Sequence, residues 1–345
     1  MAQKYAKDQP AGFSNKIERV AIVGVTGQVG RHVTAELLST GKHIVTALTR
    51  KGGNSKMPEG VLVAPVDYDD EDSLVSALKG QQFLMISLAV TADRSTQGKI
   101  IKAAAKAGVP WVMPNCYGTN VFDEKLAAEN LTGPGVLPAI KAIEETGVSS
   151  WVAMCCSFWY EFSLAMGPGW YGFDFDNKKA TLIDDGKTRI NTSTWNQCGR
   201  AMKALLSLKE LPDDANDTSV TLSNWRNKPL FISSFLVSQR DMLDSVNRVA
   251  GTTDADWTIE YEPHKERYER GMDLFKQGQH IGFGICLYTR TFFPNGGGNF
   301  EETQGLANEA LGLPKEDFDE ATKRSLDMFK GGFGRKDVEI NIYDK

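Results

Sequence analysis

The stretch that decides the fold is IERVAIVGVTGQVG, residues 17–30. Its first half is a short apolar run ending in glycine, which reads as a buried strand. Glycines then fall at 24, 27 and 30, and QVGRHVTAELLSTG follows as a helix, with Gly41 placed to end it. A strand that turns sharply into a helix through this spacing has a physical logic. Gly24 permits the tight turn, Gly27 lets backbone approach a diphosphate with no Cβ in the way, and Gly30 lets the helix pack close to the strand. The amides of Gly27 to Val29 would then face the phosphates, aided by the helix dipole. The bland alternative is an ordinary glycine-rich turn. The strand before it and the helix after it favour dinucleotide binding through Gly24, Thr26, Gly27, Gln28, Val29 and Gly30.

Working outward, strand and helix patterns alternate. HIVTALTR (43–50), VLVAPVD (61–67), QFLMISLAV (82–90), VPWVMPNCYG (109–118) and SSWVAMCCSF (149–158) read as strands, separated by helical stretches that include one around 137–147. Near-continuous apolar strands alternating with helices imply a parallel sheet covered on both faces. The expected fold class is α/β, a Rossmann-type doubly wound sheet with a smaller α/β C-terminal substrate lobe. The expected organisation is a flexible tail over 1–15, a cofactor domain over 16–158, a substrate lobe over 159–330 that returns some elements to the first sheet, and a tail over 331–345. Within the second lobe, TLIDDGKTRINT reads as one strand, 195–209 as a helix, PLFISSF as a strand, SQRDMLDSVNRVAG as a helix and WTIEYEP as a strand. Gly- and Phe-rich loops and a terminal helix near 315–330 follow.

The strand ends choose the cofactor. An acid closing the second strand would accept from a ribose 2′-OH and select NAD; here the strand ends Leu48-Thr49-Arg50-Lys51. Arg50 can bind a 2′-phosphate in bidentate fashion and Lys51 adds charge, so NADP(H) is expected. Asp67 suits either the adenine edge or a turn or helix N-cap. Ser87, Leu88, Ala89 and Asn115 close the fourth and fifth strands, under the ribose and nicotinamide.

Composition excludes several alternatives. The apolar share is 41% and the charged share 24%, ordinary for a globular protein, and the net charge of -5 argues against nucleic acid or anionic membrane as a partner. The longest apolar runs are far shorter than the roughly 18 residues of a bilayer span. No apolar h-region opens the chain. Five cysteines, at 116, 155, 156, 198 and 286, form no CxxC, and four scattered histidines offer no metal set and no triad. A cytoplasmic protein without metal is the expectation; a homo-oligomer stays open.

These marks together resemble the NmrA-like, isoflavone reductase-like group of atypical short-chain dehydrogenases. The resemblance rests on GVTGQVG, the Thr49-Arg50 pair, PNCYG at 114–118 (similar to the group's PSEFG), AIEETGVSSWVAMCCSFWYE and SQRDMLDSVNRVAGT. FWYE and LGLPKEDFDEATK are most similar to fungal members, many of which act in secondary metabolism. The resemblance implies NADPH-dependent reduction, assisted by a lysine in the helix before the sixth strand. That register falls near Pro138, with Lys141 one helical turn on. The group's turn glutamate is Cys116 here, and no Tyr-x-x-x-Lys pair is present.

Candidates for proton transfer are therefore Tyr117, in the loop after the fifth strand, Lys141 as a displaced lysine, and Tyr160. Each has a structural alternative: a phenol bonded to backbone, or a solvated helix face. Cys116 is a candidate substrate contact or an inert buried thiol; Cys155 and Cys156 read as structural. The aromatic cluster after the sixth strand suits a flat aromatic or polyketide-type substrate, with Phe158 and Trp159 as contacts beside Cys116 and Tyr117. A reductase is the first expectation. The alternatives are a non-catalytic NADP(H) redox sensor and a redox-neutral enzyme on the same fold.

Overall fold

The structure is a computed structural model that describes residues 4–89 and 92–333. The strands are β1 Arg19–Val23, β2 Ile44–Arg50, β3 Leu62–Val66, β4 Phe83–Ile86, β5 Trp111–Met113, β6 Ser150–Cys155, β7 Phe158–Trp159, β8 Phe173–Asp174, β9 Lys179–Ile183, β10 Ile190–Ser193, β11 Lys228–Phe231, β12 Phe235–Val237 and β13 Thr258–Glu262. The helices are α1 Gln28–Leu38, α2 Glu71–Leu78, α3 Arg94–Lys106, α4 Glu124–Glu129, α5 Gly133–Glu145, α6 Tyr160–Ala165, α7 Trp195–Leu206, α8 Gln239–Ala250, α9 His264–Lys276, α10 His280–Thr291, α11 Phe300–Gln304 and α12 Phe318–Lys330.

Seven strands form the central sheet in the order β11-β6-β5-β4-β1-β2-β3, every pair parallel. The order reverses at β1, so the crevice above β1 and β4 is where an open α/β sheet takes a ligand. Both faces are covered, because β1 and β4 are buried along almost their whole length. One face packs Val29, Val33 and Leu37 of α1 against Trp195, Cys198, Ala201 and Leu205 of α7. The other packs Leu74 and Leu78 of α2, Ile100, Ala103 and Ala104 of α3, and Ile140 and Ile143 of α5.

The second lobe holds two small sheets, β12-β10-β7 and β13-β9-β8, around a core of Phe158, Tyr160, Tyr171, Phe173, Leu182 and Tyr288. α8 opens with a capping box between Ser238 and Asp241 and closes at Gly251 in the left-handed region, both readable from sequence.

Three expectations change. TLIDDGKTRINT is two strands in different sheets, β9 and β10, split by a turn in which Asp184 (φ 53°) and Gly186 (φ 71°) are left-handed. The stretch 264–291, expected as loops, is the helical hairpin α9–α10. Glycine builds it: a Cβ on Gly282 would lie 2.3 Å from the Phe275 nitrogen, and one on Gly271 would lie 2.8 Å from Ile285. Residues 4–15, expected as a flexible tail, are stitched to the 211–213 loop. Ala6 N–H donates to the Pro212 carbonyl (2.9 Å), and Asn15 exchanges two hydrogen bonds with the Leu211 backbone (2.9 and 2.8 Å). The rest of the expected C-terminal tail, 334–345, lies outside the described residues.

Candidate functional site

The turn after β1 is shaped by contacts that only glycine survives. Gly24 has φ +86°, and a Cβ there would sit 2.1 Å from the Ser87 carbonyl oxygen. A Cβ on Gly30 would sit 1.9 Å from the Gly24 carbonyl oxygen. Gly27 differs: its hypothetical Cβ meets only the Gly24 oxygen, at 3.2 Å. The protein itself barely requires glycine at 27, as expected where backbone must stay open to something outside the chain. One detail departs from the sequence expectation. The Gly27 N–H is bonded to the Gly24 carbonyl (3.0 Å), so the open amides are those of Gln28, Val29 and Gly30, in the first turn of α1. Gly27 is the N-cap residue and no side chain caps this end, which leaves the turn as an anion site.

One strand over, Arg50 and Lys51 are exposed at the end of β2. No ion pair among the described residues engages either cation, and Lys51 N–H closes the strand end onto the Val66 carbonyl (2.9 Å). The Arg50 charge lies close enough to Tyr68 to offset part of the upward shift that burial imposes on that phenol. Asp67 is exposed and serves the turn: its Oδ1 accepts from Asp69 N–H (2.9 Å). The N-cap of α2 is Asp70, which accepts from Asp72 and Ser73.

Ser87 N–H bonds the Val23 carbonyl (3.0 Å), so the exit of β4 follows β1. Beside it, the Asn115 side chain grips Leu88 in both directions. Its Oδ1 accepts from Leu88 N–H (3.3 Å) and its Nδ2 donates to the Leu88 carbonyl (3.2 Å). Asn115 N–H is itself held by Gln97 Oε1 (2.7 Å). Ser87, Leu88, Ala89 and Asn115 are thus brought together at the strand ends, facing the Gly24 turn.

The expected proton donors fare differently. The Tyr117 hydroxyl donates to the Ile86 carbonyl (2.9 Å), and burial pushes the phenol well above its ordinary range. Tyr160 is fully buried in the second lobe, bonded to Thr322 Oγ1 (2.7 Å), and burial likewise raises it. Lys141 points into solvent from α5, 3.7 Å from Glu145 one turn on. Both hydroxyls are thus engaged within the chain, and Lys141 faces solvent.

The substrate candidates divide as well. Cys116 is 2% exposed, and all five cysteines are free and buried. Adjacent Cys155 and Cys156 point to opposite faces, and each meets a second thiol, Cys116 and Cys198 respectively; that contact, with burial, holds Cys155 and Cys198 well above the ordinary thiol range. They are core residues, not nucleophiles. Phe158 is stacked on Tyr288 (centroids 3.8 Å apart, 9° between planes) inside the lobe. Trp159 turns the other way, half-buried between Phe162 and Trp195. Trp195 was not among the sequence candidates. Its place opening α7 looks like ordinary helix packing, and only the fold brings it to Trp159. No group of three or more His, Cys, Asp or Glu among the described residues is placed to hold a metal, and no described helix is long and apolar enough to cross a membrane.

Comparison with known proteins supports the fold. The chain is 28% identical over 307 residues, 88% of its length and 96% of the relative's, to a protein named Oxidoreductase aprR from Aspergillus flavus. A crystal structure of isoflavone reductase superposes with a TM-score of 0.67 at 20% identity, covering 90% of this chain and 99% of that one. The NADPH complex of the Escherichia coli quinone oxidoreductase QOR2 superposes with a TM-score of 0.63 at 18% identity, covering 89% and 99%. The glycine turn, the Arg50 strand end and the Asn115 clamp all fall within residues 16–130, the segment matched by the model of the NmrA-like family.

Proposed function

We propose that this chain is an NADPH-dependent reductase of a small aromatic or polyketide-type acceptor, with residues 16–158 holding the cofactor and residues 159–330 closing over the acceptor. One observation carries the cofactor assignment. The Gly24–Gly30 turn runs into a helix with no side-chain cap, while Arg50 and Lys51, one strand away, have no carboxylate partner among the described residues. A diphosphate fits the first feature and a ribose 2′-phosphate fits the second. The residues therefore suit NADPH, which when bound supplies hydride from its nicotinamide. The chain's part is positional. The Gln28, Val29 and Gly30 amides hold the diphosphate, Arg50 meets the extra phosphate, and the Leu88–Asn115 pair forms the floor beside the nicotinamide.

The acceptor class follows from the missing acid. With Tyr117 and Tyr160 bonded inward and Lys141 in solvent, no side chain among them offers a proton. Hydride addition to a simple ketone yields a strongly basic alkoxide that needs a positioned donor. A quinone yields a phenolate, whose acid titrates near ~10 as in tyrosine, so solvent can supply the proton. The overall change is quinone plus NADPH plus a proton giving hydroquinone plus NADP+. The quinone oxidoreductase among the structural neighbours is consistent with this reading. A redox sensor that binds NADP(H) without turnover draws on the same missing acid and is the second reading.

Calorimetric titration with NADPH and NADH, followed by quinone-dependent consumption of NADPH, tests both. NADPH should bind at least about tenfold more tightly than NADH, and a naphthoquinone should be reduced. Indifference to both nucleotides ends the proposal; tight binding with no turnover on any quinone leaves the sensor reading standing.

A further inference from the structure

We infer that the indole N–H groups of Trp159 and Trp195 are ligand contacts that hold the oxygen atoms of a flat, hydroxylated carbonyl compound, the acceptor of the reductase proposed above, on whose reading this inference rests. Almost every buried polar group in a folded protein has a hydrogen-bond partner, and a buried tryptophan N–H usually finds one. Here six of the nine such side-chain atoms among the described residues belong to segments that meet in one place. Trp159 Nε1, Trp195 Nε1, Gln28 Oε1, His32 Nε2, Ser157 Oγ and Glu161 Oε2 are all shielded from solvent and bonded to nothing among the described residues.

The fold draws these atoms together. The two indole rings lie 6.3 Å apart, the His32 ring stacks on Trp195 at 5.9 Å, and Phe162 packs against both indoles at 6.0 and 6.4 Å. Gln28 opens α1 one turn before His32, and Trp195 opens α7, which packs along α1. Ser157 and Glu161 flank Trp159 at alternate positions of the segment that leaves the main sheet. Ser157 is 2% exposed and held at φ 56°, a left-handed conformation uncommon for a residue with a side chain. Its N–H is fixed to the Gly118 carbonyl (2.8 Å), which sets it beside the exit of β5. The cluster therefore adjoins the strand ends where the cofactor is proposed to lie.

The chemistry of the unpaired atoms selects the ligand. An indole N–H can only donate, so the ligand must present acceptor oxygens to Trp159 and Trp195. The Gln28 oxygen can only accept, so the ligand must also carry a donor. A carboxylate or phosphate would meet the indoles but leave the Gln28 oxygen without the donor it needs. A hydroxylated quinone meets both requirements and presents a plane to the aromatic walls.

The test uses the purified full-length protein saturated with NADP+ and 2-hydroxymethyl-1,4-naphthoquinone as probe, a quinone whose hydroxyl stays protonated and able to donate at neutral pH. Binding is read by calorimetry and turnover by NADPH consumption. Trp159→Phe and Trp195→Phe keep a ring and delete the N–H. Each should weaken probe binding, and raise its KM, by about tenfold with NADPH affinity unchanged. Probe binding that is lost in the variants supports the contact even if the wild type never turns over, a result that would sink the reductase reading alone. The inference is overturned if the wild type ignores the probe, if both variants bind it as the wild type does, so that water alone meets the indoles, or if NADPH affinity falls instead. Should Trp195→Phe fail to fold, the half-buried Trp159 still decides the matter.

Discussion

The turn at 24–30 and the segment at 157–162 both join a strand of the main sheet to a helix, yet they are built on opposite terms. The first is made of backbone. Gly24 and Gly30 are fixed by steric contacts of about 2 Å, and its useful groups are amides that any sequence possesses. The second is made of side chains whose facing alternates: Phe158 and Tyr160 enter the second lobe's core, while Ser157, Trp159 and Glu161 leave polar atoms unmet on the other side. Spacing alone declares a backbone site. A side-chain site needs the fold to say which way each residue turns.

The comparison is sharpened by substitutions ordered by expected effect. Gly30→Ala drives a methyl into the Gly24 carbonyl and should cost about 3 kcal/mol or more of stability in urea denaturation, with nucleotide binding lost alongside. A folded, NADPH-binding variant would mean the turn is far softer than its contacts. Arg50→Ala should weaken NADPH by roughly ten- to a hundredfold, about 1.4–2.8 kcal/mol, and leave NADH nearly unchanged. Equal losses would remove the guanidinium from the 2′-phosphate. Tyr160→Phe deletes a hydroxyl bonded to Thr322 in a chain that continues to Ser245 and Asp319, and should cost about 1–2 kcal/mol with turnover intact. A large fall in kcat at full stability would restore Tyr160 as a proton donor. Lys141→Ala should change stability by less than about 0.5 kcal/mol, because its pairing with Glu145 is exposed, and should not change the rate.

What could be read in advance follows the same division. The strands of the first sheet, the roles of Gly24 and Gly30, and the cation at the end of β2 were legible because apolar runs, turn glycines and strand ends each have a local physical cause. The α9–α10 hairpin was not. Gly271, Gly282 and Gly284 lower helix propensity, and the compensation at Gly271 and Gly282, close approach of one helix to the other, is a tertiary contact. The β9–β10 break at Asp184 hid inside an apparently continuous strand. The partners of the proton-donor candidates stayed hidden for a related reason: sequence places a hydroxyl but does not show that Ile86 or Thr322 holds it.

The two-way grip of Asn115 on Leu88 carries a consequence for order of events. One amide ties together the ends of two neighbouring strands, so neither loop can shift without dragging its neighbour. A nucleotide settling on the first would stiffen the second before any other molecule arrives. Catalysis on such a platform would run as a compulsory sequence, nucleotide before oxidant, and steady-state patterns with both concentrations varied would carry that signature.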